Sequence, residues 1–213
     1  RIPELISPCP QNGTAAIALT DQSNVFGSSK FFRSAMSAGI KPIIGADLWV
    51  VDSENTGKPY KIVFLCQNNL GYKNLSILLT RAYREGQHRG IPMVHENWLT
   101  ISQLTGIICL SGGISGDIGL AFLTGSKETM LRSAAKWQAL IGERYYLEVF
   151  RTGRLQEEAY LQEVASVAEH LAIPLVATND VRFRNADDYE VHEARVCIQQ
   201  GRMLSDPRRP KLY

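Results

Sequence analysis

The sequence predicts an α/β fold of the distorted (β/α) barrel type. Short apolar runs alternate with helical patterns along all 213 residues, and the runs are continuously apolar rather than alternating. Such runs are typical of parallel strands whose two faces are both covered. Helical segments separate most of the strands, so we expect parallel pairing through right-handed crossovers. A barrel fits this order better than an open doubly wound sheet does.

The first strand is the buried apolar run 15–19, which Thr20-Asp21 closes. A helix over 30–38 follows and ends at Gly39, because glycine fits the position after a helix without steric cost. The second strand region, 43–51, is interrupted at Gly45. A turn over 55–59 leads into the third strand, 62–65.

The clearest helix follows the third strand. Its apolar residues recur at the 3.6-residue period, which indicates one buried face: Leu75, Leu78, Leu79, Ala82 and Tyr83. Gly86 ends this helix. The stretch 87–104, which contains His88 and His95, is predicted to be a loop.

The second half repeats the alternation. Strands are predicted at 107–110, 146–150 and 175–178, with a helix over 127–140 and another whose apolar face includes Leu161 and Val164. The last helix begins at Asn185, a capping residue with Asp188 as its acidic partner, and ends at Gly201.

The overall composition indicates a globular domain in a reducing compartment. A net charge of +2 is too small to imply nucleic-acid binding by itself. The four cysteines are far apart with no C-x-x-C spacing, which is usual for reduced thiols. The sequence also has no signal peptide and no bilayer-spanning apolar run, so we expect a cytoplasmic protein without membrane partners.

Both ends suggest a piece of a longer protein. The chain opens without Met, and it stops after the basic, proline-rich run 206–211. We interpret this run as a solvated linker. A basic edge that contacts DNA or an acidic partner through Arg208, Arg209 and Lys211 is the alternative.

Carboxylates follow or end several predicted strands, where α/β barrels place their functional groups. Asp21, Asp47 and Asp180 could together bind a hard cation such as Mg²⁺. A hydrolytic centre usually needs imidazole ligands as well. None of the four histidines lies at the end of a predicted strand, and none has ligand-like spacing. Arg182, two residues from Asp180, can pair with that carboxylate and oppose a metal.

A glycine-rich turn over 111–116 resembles a phosphate-binding loop, but it has no Gly-Lys-Ser/Thr ending. Asp117 would also repel a phosphate. Neither does the turn contain the G-x-S-x-G pattern of a nucleophile elbow. We therefore interpret it as a tight connection between a strand and a helix.

Five segments together resemble one protein family. They are 18–27 (ALTDQSNVFG), 38–47, 69–75, 110–113 (LSGG) and 177–183 (ATNDVRF), in the same order as in the family. They are similar to the PHP (polymerase and histidinol phosphatase) domain of the bacterial family C DNA polymerases, the polymerase III alpha subunits. The resemblance covers nearly all of 1–213 and implies one domain with a distorted barrel, of which the first strand is missing here.

This sequence departs from the family's metal-binding pattern at nearly every ligand. Asp180 matches, whereas the other ligand positions, histidine, glutamate, histidine, cysteine and histidine in the family, are Gln22, Asp47, Lys61, Gly113 and Arg182. The family's H-x-H pair would lie before Arg1. The resemblance therefore implies a degenerate site with no cofactor and no catalytic residue in this chain.

The resemblance implies a role in DNA replication. The parent would be a DNA-directed DNA polymerase with Mg²⁺ and its catalytic aspartates in another region. This chain would be a structural brace and a docking platform for the proofreading exonuclease (epsilon) subunit, among other polymerase III subunits. The alternative is a metal-dependent phosphoesterase, 3′–5′ exonuclease or pyrophosphatase that uses Asp21, Asp47 and Asp180.

Overall fold

The fold is a strongly curled sheet, a half-barrel, with helices packed on its outer face. The computed structural model describes residues 2–52 and 58–206. The strands within these residues are β1 (Ala16–Gln22), β2 (Lys41–Val51), β3 (Tyr60–Cys66), β4 (Gln87–His88), β5 (Ile91–Pro92), β6 (Val94–His95), β7 (Ile107–Leu110), β8 (Tyr145–Val149) and β9 (Leu175–Ala177). The α-helices of the same part of the chain are α1 (Ile2–Ile6), α2 (Ser28–Ser37), α3 (Asn69–Glu85), α4 (Asp117–Leu123), α5 (Lys127–Ile141), α6 (Glu157–Leu171) and α7 (Tyr189–Gln200).

The strand order is β1-β2-β3-β7-β8-β9, and β6 pairs with β2. The curled sheet confirms the predicted barrel-like α/β class. The expectation of parallel pairing throughout is wrong at β3, which is antiparallel to both of its neighbours, β2 and β7. The reason is the connection between β2 and β3, which spans only residues 52–59 and is too short for a crossover.

Two other details of the prediction are wrong around β2. The strand runs unbroken through Gly45, where an added Cβ would lie 2.5 Å from the Phe64 carbonyl oxygen. Glycine therefore permits close contact with β3 rather than interrupting the strand. The first strand, β1, is partly exposed instead of buried because it forms one edge of the sheet. The predicted turn at 55–59 falls mostly outside the described residues.

The stretch predicted as a loop after α3 contains three two-residue strands, β4 to β6. Helices α1 and α4 were also missed, since their five and seven residues are too few for a periodic signal. Elsewhere the predicted helices and strands are present within a few residues, and Asn185 with Asp188 forms the predicted capping box. Among the described residues, no helix combines the length and apolar character needed to cross a bilayer.

The main hydrophobic core lies between the sheet and helices α3 to α6. Alternate residues of the central strands face it, including Leu48, Ile62, Cys109 and Leu147, and each is at most 1% exposed. A second, smaller core lies under α1 and α2 around Phe31. Because side chains alternate along a strand, the neighbours of the core residues point to the concave face of the sheet.

Candidate functional site

The concave face has charged residues where the opposite face is apolar. Asp47, Lys61 and Glu148 lie between core residues on β2, β3 and β8, so they point away from the packed helices. The reversed direction of β3 matters here. It places Lys61, near the start of β3, beside the carboxyl-terminal ends of the parallel strands.

Lys61 lies between two carboxylates. Its Nζ is 2.6 Å from Asp47 Oδ2 and 3.8 Å from Asp180 Oδ1. The side chains of Asp47, Asp180 and Lys61 are only 7%, 15% and 15% exposed. Such shielding makes the attraction stronger than in an exposed pair.

Two arginines complete the pairing of Asp180. Arg182 Nη2 donates to Asp180 Oδ1 at 2.6 Å, and Arg154 Nη1 donates to Oδ2 at 3.0 Å. Asp180 itself has a φ of +44°, in the left-handed region that aspartate tolerates better than most residues. Together Asp47, Lys61, Arg154, Asp180 and Arg182 form what we call the rim cluster.

The loop between β8 and α6 holds Arg154 in place. Glu157, only 3% exposed, accepts hydrogen bonds from the backbone N–H groups of Thr152, Gly153 and Arg154 at 2.6, 2.9 and 3.2 Å. Burial works against ionisation, but these bonds and one from the Thr152 hydroxyl outweigh it and lower the pKa of Glu157. An ionised Glu157 therefore fixes the loop that presents Arg154 to Asp180.

A third carboxylate, Glu148, lies beside the rim cluster at 8% exposure. It accepts a hydrogen bond from Thr178 Oγ1 at 2.8 Å, and its backbone N–H donates to Ser111 Oγ at 2.9 Å. Burial raises the pKa of Glu148 above its ordinary value, although Thr178 and Lys61 act in the opposite direction. Glu148 is thus a carboxylate whose charge the protein only partly compensates.

The position that holds cysteine in the family pattern has no room for a side chain. An added Cβ on Gly113 would lie 2.1 Å from Phe150 Cε1, and the glycine has a φ of +58°. The Phe150 ring occupies the space into which a residue-113 thiol would point. The preceding Gly112 also has a positive φ, so the turn depends on two glycines.

The remaining predicted residues lie at the margin. Gln22 stands opposite Asp47 in the register of β1 and β2, but its side chain makes no hydrogen bond to the rim cluster within the described residues. Partial burial, with Asp47 as a second cause, raises the pKa of Asp21. Asp21 forms no ion pair with Lys61, Arg154 or Arg182 in the part of the chain that the structure describes.

The histidines lie apart from the rim cluster. His88 is in β4, while His170 and His192 are on α6 and α7. The prediction that no histidine ends a strand is wrong for two of them: His88 ends β4, and His95 ends β6 and packs against the Trp98 ring at 4.6 Å. Both strands are too short to be seen as apolar runs.

Sequence analysis missed Glu148, Arg154 and Phe150. A signal existed for Glu148, because it is the one charged residue in the apolar strand 145–149. No signal existed for Arg154, which only the path of the β8–α6 loop brings to Asp180. Phe150 looked like an ordinary strand residue, and its role depends on the conformation of Gly113.

The two aspartates of the rim cluster are paired with cationic side chains. Within residues 2–52 and 58–206, no three histidine, cysteine or acidic side chains converge on a common point. The carboxylate oxygens of Asp47 and Asp180 already face an ammonium and two guanidinium groups. A metal ion placed about 4 Å from any one of these cationic groups would be repelled by about 4 kcal/mol per unit of its charge, at the effective dielectric constant of a protein surface.

Comparison with known proteins identifies the family. The PHP domain model matches residues 1–152, which is more than half of the chain. The chain belongs to the PHP domain family. This PHP domain has an amidohydrolase from Chromobacterium violaceum as a structural neighbour, with a TM-score of 0.54 over 91% of each chain. Their identity is 14%, so this likeness concerns the fold alone.

The PHP domain is also similar to polymerase subunits. It is 43% identical over 201 residues to DNA polymerase III subunit alpha of Pseudomonas aeruginosa, which is 94% of this chain and 17% of that protein. It is 40% identical over 209 residues to the same subunit of Escherichia coli K12, which is 98% of this chain and 18% of that protein. The chain thus spans less than a fifth of the length of these relatives.

Proposed function

We propose that this PHP domain, residues 1–213, is one domain of the alpha subunit of a replicative DNA polymerase III in the cytoplasm. Identity of about 40% along almost the whole chain supports this proposal. The parent subunit would polymerise DNA with Mg²⁺ bound in another region. The PHP domain would be a non-catalytic brace and the docking platform for the proofreading exonuclease (epsilon) subunit.

One observation favours the non-catalytic role: Lys61 Nζ lies between Asp47 and Asp180. An ammonium group cannot activate water for hydrolysis as a bound metal does. Its ion pairs with Asp47 and Asp180 can, however, hold β3 against β2 and against the loop after β9. Arg154 and Arg182 extend the same network of ion pairs. The vestigial positions Gln22, Asp47, Lys61, Gly113, Asp180 and Arg182 would then be structural.

Metal analysis of the full-length protein tests the non-catalytic role. We expect less than stoichiometric Zn or Mn after purification without chelators, and no phosphoesterase activity that depends on added metal. The rival function is a phosphoesterase, exonuclease or pyrophosphatase based on Asp21, Asp47 and Asp180. Stoichiometric metal, together with activity lost in Asp47→Asn, would establish that rival.

Cross-linking of the full-length protein to the exonuclease subunit tests the docking role separately. We expect direct binding in a titration, with cross-links that map to lysines of this domain. Binding with cross-links confined to other regions of the polymerase would contradict the docking role and leave the brace untouched.

A further inference from the structure

A groove of about 530 Å³ lies between α1 and α2. One wall, formed by α1, is apolar at the exposed Pro3 and at Ile6, which is only 2% exposed. The opposite wall is the face of α2 that contains Lys30 and Arg33. The groove therefore has an apolar side and a cationic side that face each other.

No acidic side chain of the described residues pairs with the cationic wall. Lys30 and Arg33 are exposed, and neither forms an ion pair within residues 2–52 and 58–206. Helix α2 contains no acidic residue. Glu4, the acidic residue of α1, lies 3.8 Å from Arg184 and is not part of the groove lining. The groove thus presents uncompensated positive charge to solvent.

Hydroxyl groups lie among these charges. Three serines line the groove and make no side-chain hydrogen bond within the described residues: Ser7, Ser34 and Ser37. A hydroxyl can donate to a carbonyl and accept from an N–H. These serines can therefore bind the main chain of a segment that lies in the groove.

We infer that the groove between α1 and α2 binds an acidic peptide segment in an extended conformation. Residues three apart on a helix have Cβ atoms about 5–6 Å apart, the spacing of Lys30 and Arg33. Alternate residues of an extended chain lie about 6.6 Å apart on one side. Two carboxylates at positions i and i+2 can reach both cations, and the residue between them faces Pro3.

A peptide fits this groove better than single-stranded DNA does. Binding of single strands depends on aromatic side chains on which bases stack. None of the eight residues that line the groove is aromatic. The apolar wall would also face a charged backbone if DNA lay there. This inference is independent of the rim cluster and of the proposed function.

A binding measurement on the full-length protein tests the inference. The ligand is a fluorescein-labelled ten-residue peptide that alternates aspartate and leucine. We expect saturable binding that Lys30→Glu/Arg33→Glu weakens by about tenfold, since two exposed charge contacts are reversed. The control is Lys73→Glu/Arg84→Glu on α3, which changes the net charge equally and should leave the affinity within about twofold.

Three outcomes would overturn the inference. The first is equal loss in both double variants, which would mean nonspecific attraction. The second is absence of saturable binding to the unmodified protein at millimolar peptide. The third is tighter binding of a dT10 oligonucleotide than of the peptide, lost in the Lys30/Arg33 variant, which would make the groove a nucleic-acid surface. Circular dichroism melting of each variant shows that the fold is retained.

Discussion

At the scale of single residues, the rim cluster depends on charge balance among partly buried groups. Asp47 and Asp180 belong to different elements, and Lys61 is close to both. Removing one partner of such a pair costs more than the pair contributes, because the other charge stays buried without compensation. Of the residues of the rim cluster, Lys61 is therefore the one whose replacement should destabilise the fold most.

We expect Lys61→Met to lower the free energy of unfolding by about 2–4 kcal/mol. Methionine keeps the length of the side chain but removes the ammonium that faces Asp47 and Asp180. Urea denaturation of the full-length protein, followed in the transition that includes this domain, measures the change. Lys73→Met on the exposed face of α3 is the control and should change stability by less than about 0.5 kcal/mol. Equal effects of the two variants would contradict the role of Lys61.

We predict that Glu148 makes stability depend on pH with the opposite sign to that of a paired carboxylate. Burial raises its folded pKa, so the folded state retains its proton at a pH where the unfolded chain has lost it. The stability due to Glu148 is therefore full below the ordinary value of 4.5 and falls as pH rises through the raised pKa. Melting temperatures of the wild type and Glu148→Gln should diverge in favour of the variant from pH 5 to pH 8. A constant difference over that range would refute the assignment.

At the scale of elements, the turn between β7 and α4 leaves no room at position 113 for the side chain of a metal ligand. We expect Gly113→Ala to be strongly destabilising, because the new Cβ meets both a positive φ and the Phe150 ring. Gly125→Ala is a matched control, since Gly125 has a φ of +74° with nothing within 4 Å. The control should cost about 1–2 kcal/mol, the strain of a left-handed residue alone. Thermal denaturation that shows equal losses would mean that Phe150 moves aside.

The loop between β8 and α6 predicts acid sensitivity. Glu157 has a lowered pKa, so its contribution to stability is present above its ordinary value of 4.5 and is lost as pH falls through the folded pKa. We expect Glu157→Gln to destabilise the protein by about 1–3 kcal/mol at pH 7, because the charge that accepts three backbone N–H bonds is removed. The difference in free energy of unfolding between the variant and the wild type should be smaller in denaturation curves recorded near pH 4. A gap independent of pH would show that packing, not charge, orders the loop.

Local patterns in the sequence predicted the positions of the long strands but not the directions in which they pair. Apolar runs located the long strands because a buried strand needs a continuous apolar surface. The directions of the strands could not be predicted from these runs, because the composition of β3 is the same whether it pairs parallel or antiparallel with its neighbours. The short connection over 52–59 was the available signal for antiparallel pairing. The two-residue strands β4 to β6 have no period that a sequence could show.

At the scale of the whole molecule, stability should be indifferent to metal. We expect the melting temperature of the full-length protein to change by less than about 1 °C after dialysis against EDTA or on addition of Zn²⁺ or Mn²⁺. The physical reason is linkage: a ligand stabilises a fold only if it binds the folded state. A rise of several degrees with one metal, absent in Asp47→Asn, would reveal a binding site.

Much of the candidate site could be predicted, and the rest needed the fold. Asp180 and Arg182 are two residues apart, so their pairing was evident from the sequence. Lys61 and Asp47 are joined only by the register of β2 and β3, and Arg154 by the path of a loop. Such contacts between distant residues depend on where the backbone goes, which no local pattern specifies.

The rim cluster also affects how the domain reaches its folded state. A centre built on metal ions must capture them from a cellular pool, and it can be emptied by a chelator or filled by the wrong ion. Here the positive charges are side chains of Lys61, Arg154 and Arg182, supplied in fixed ratio as the chain is synthesised. We therefore expect maturation of this domain to be independent of the supply of trace metals, whether the cell has plenty of zinc or very little.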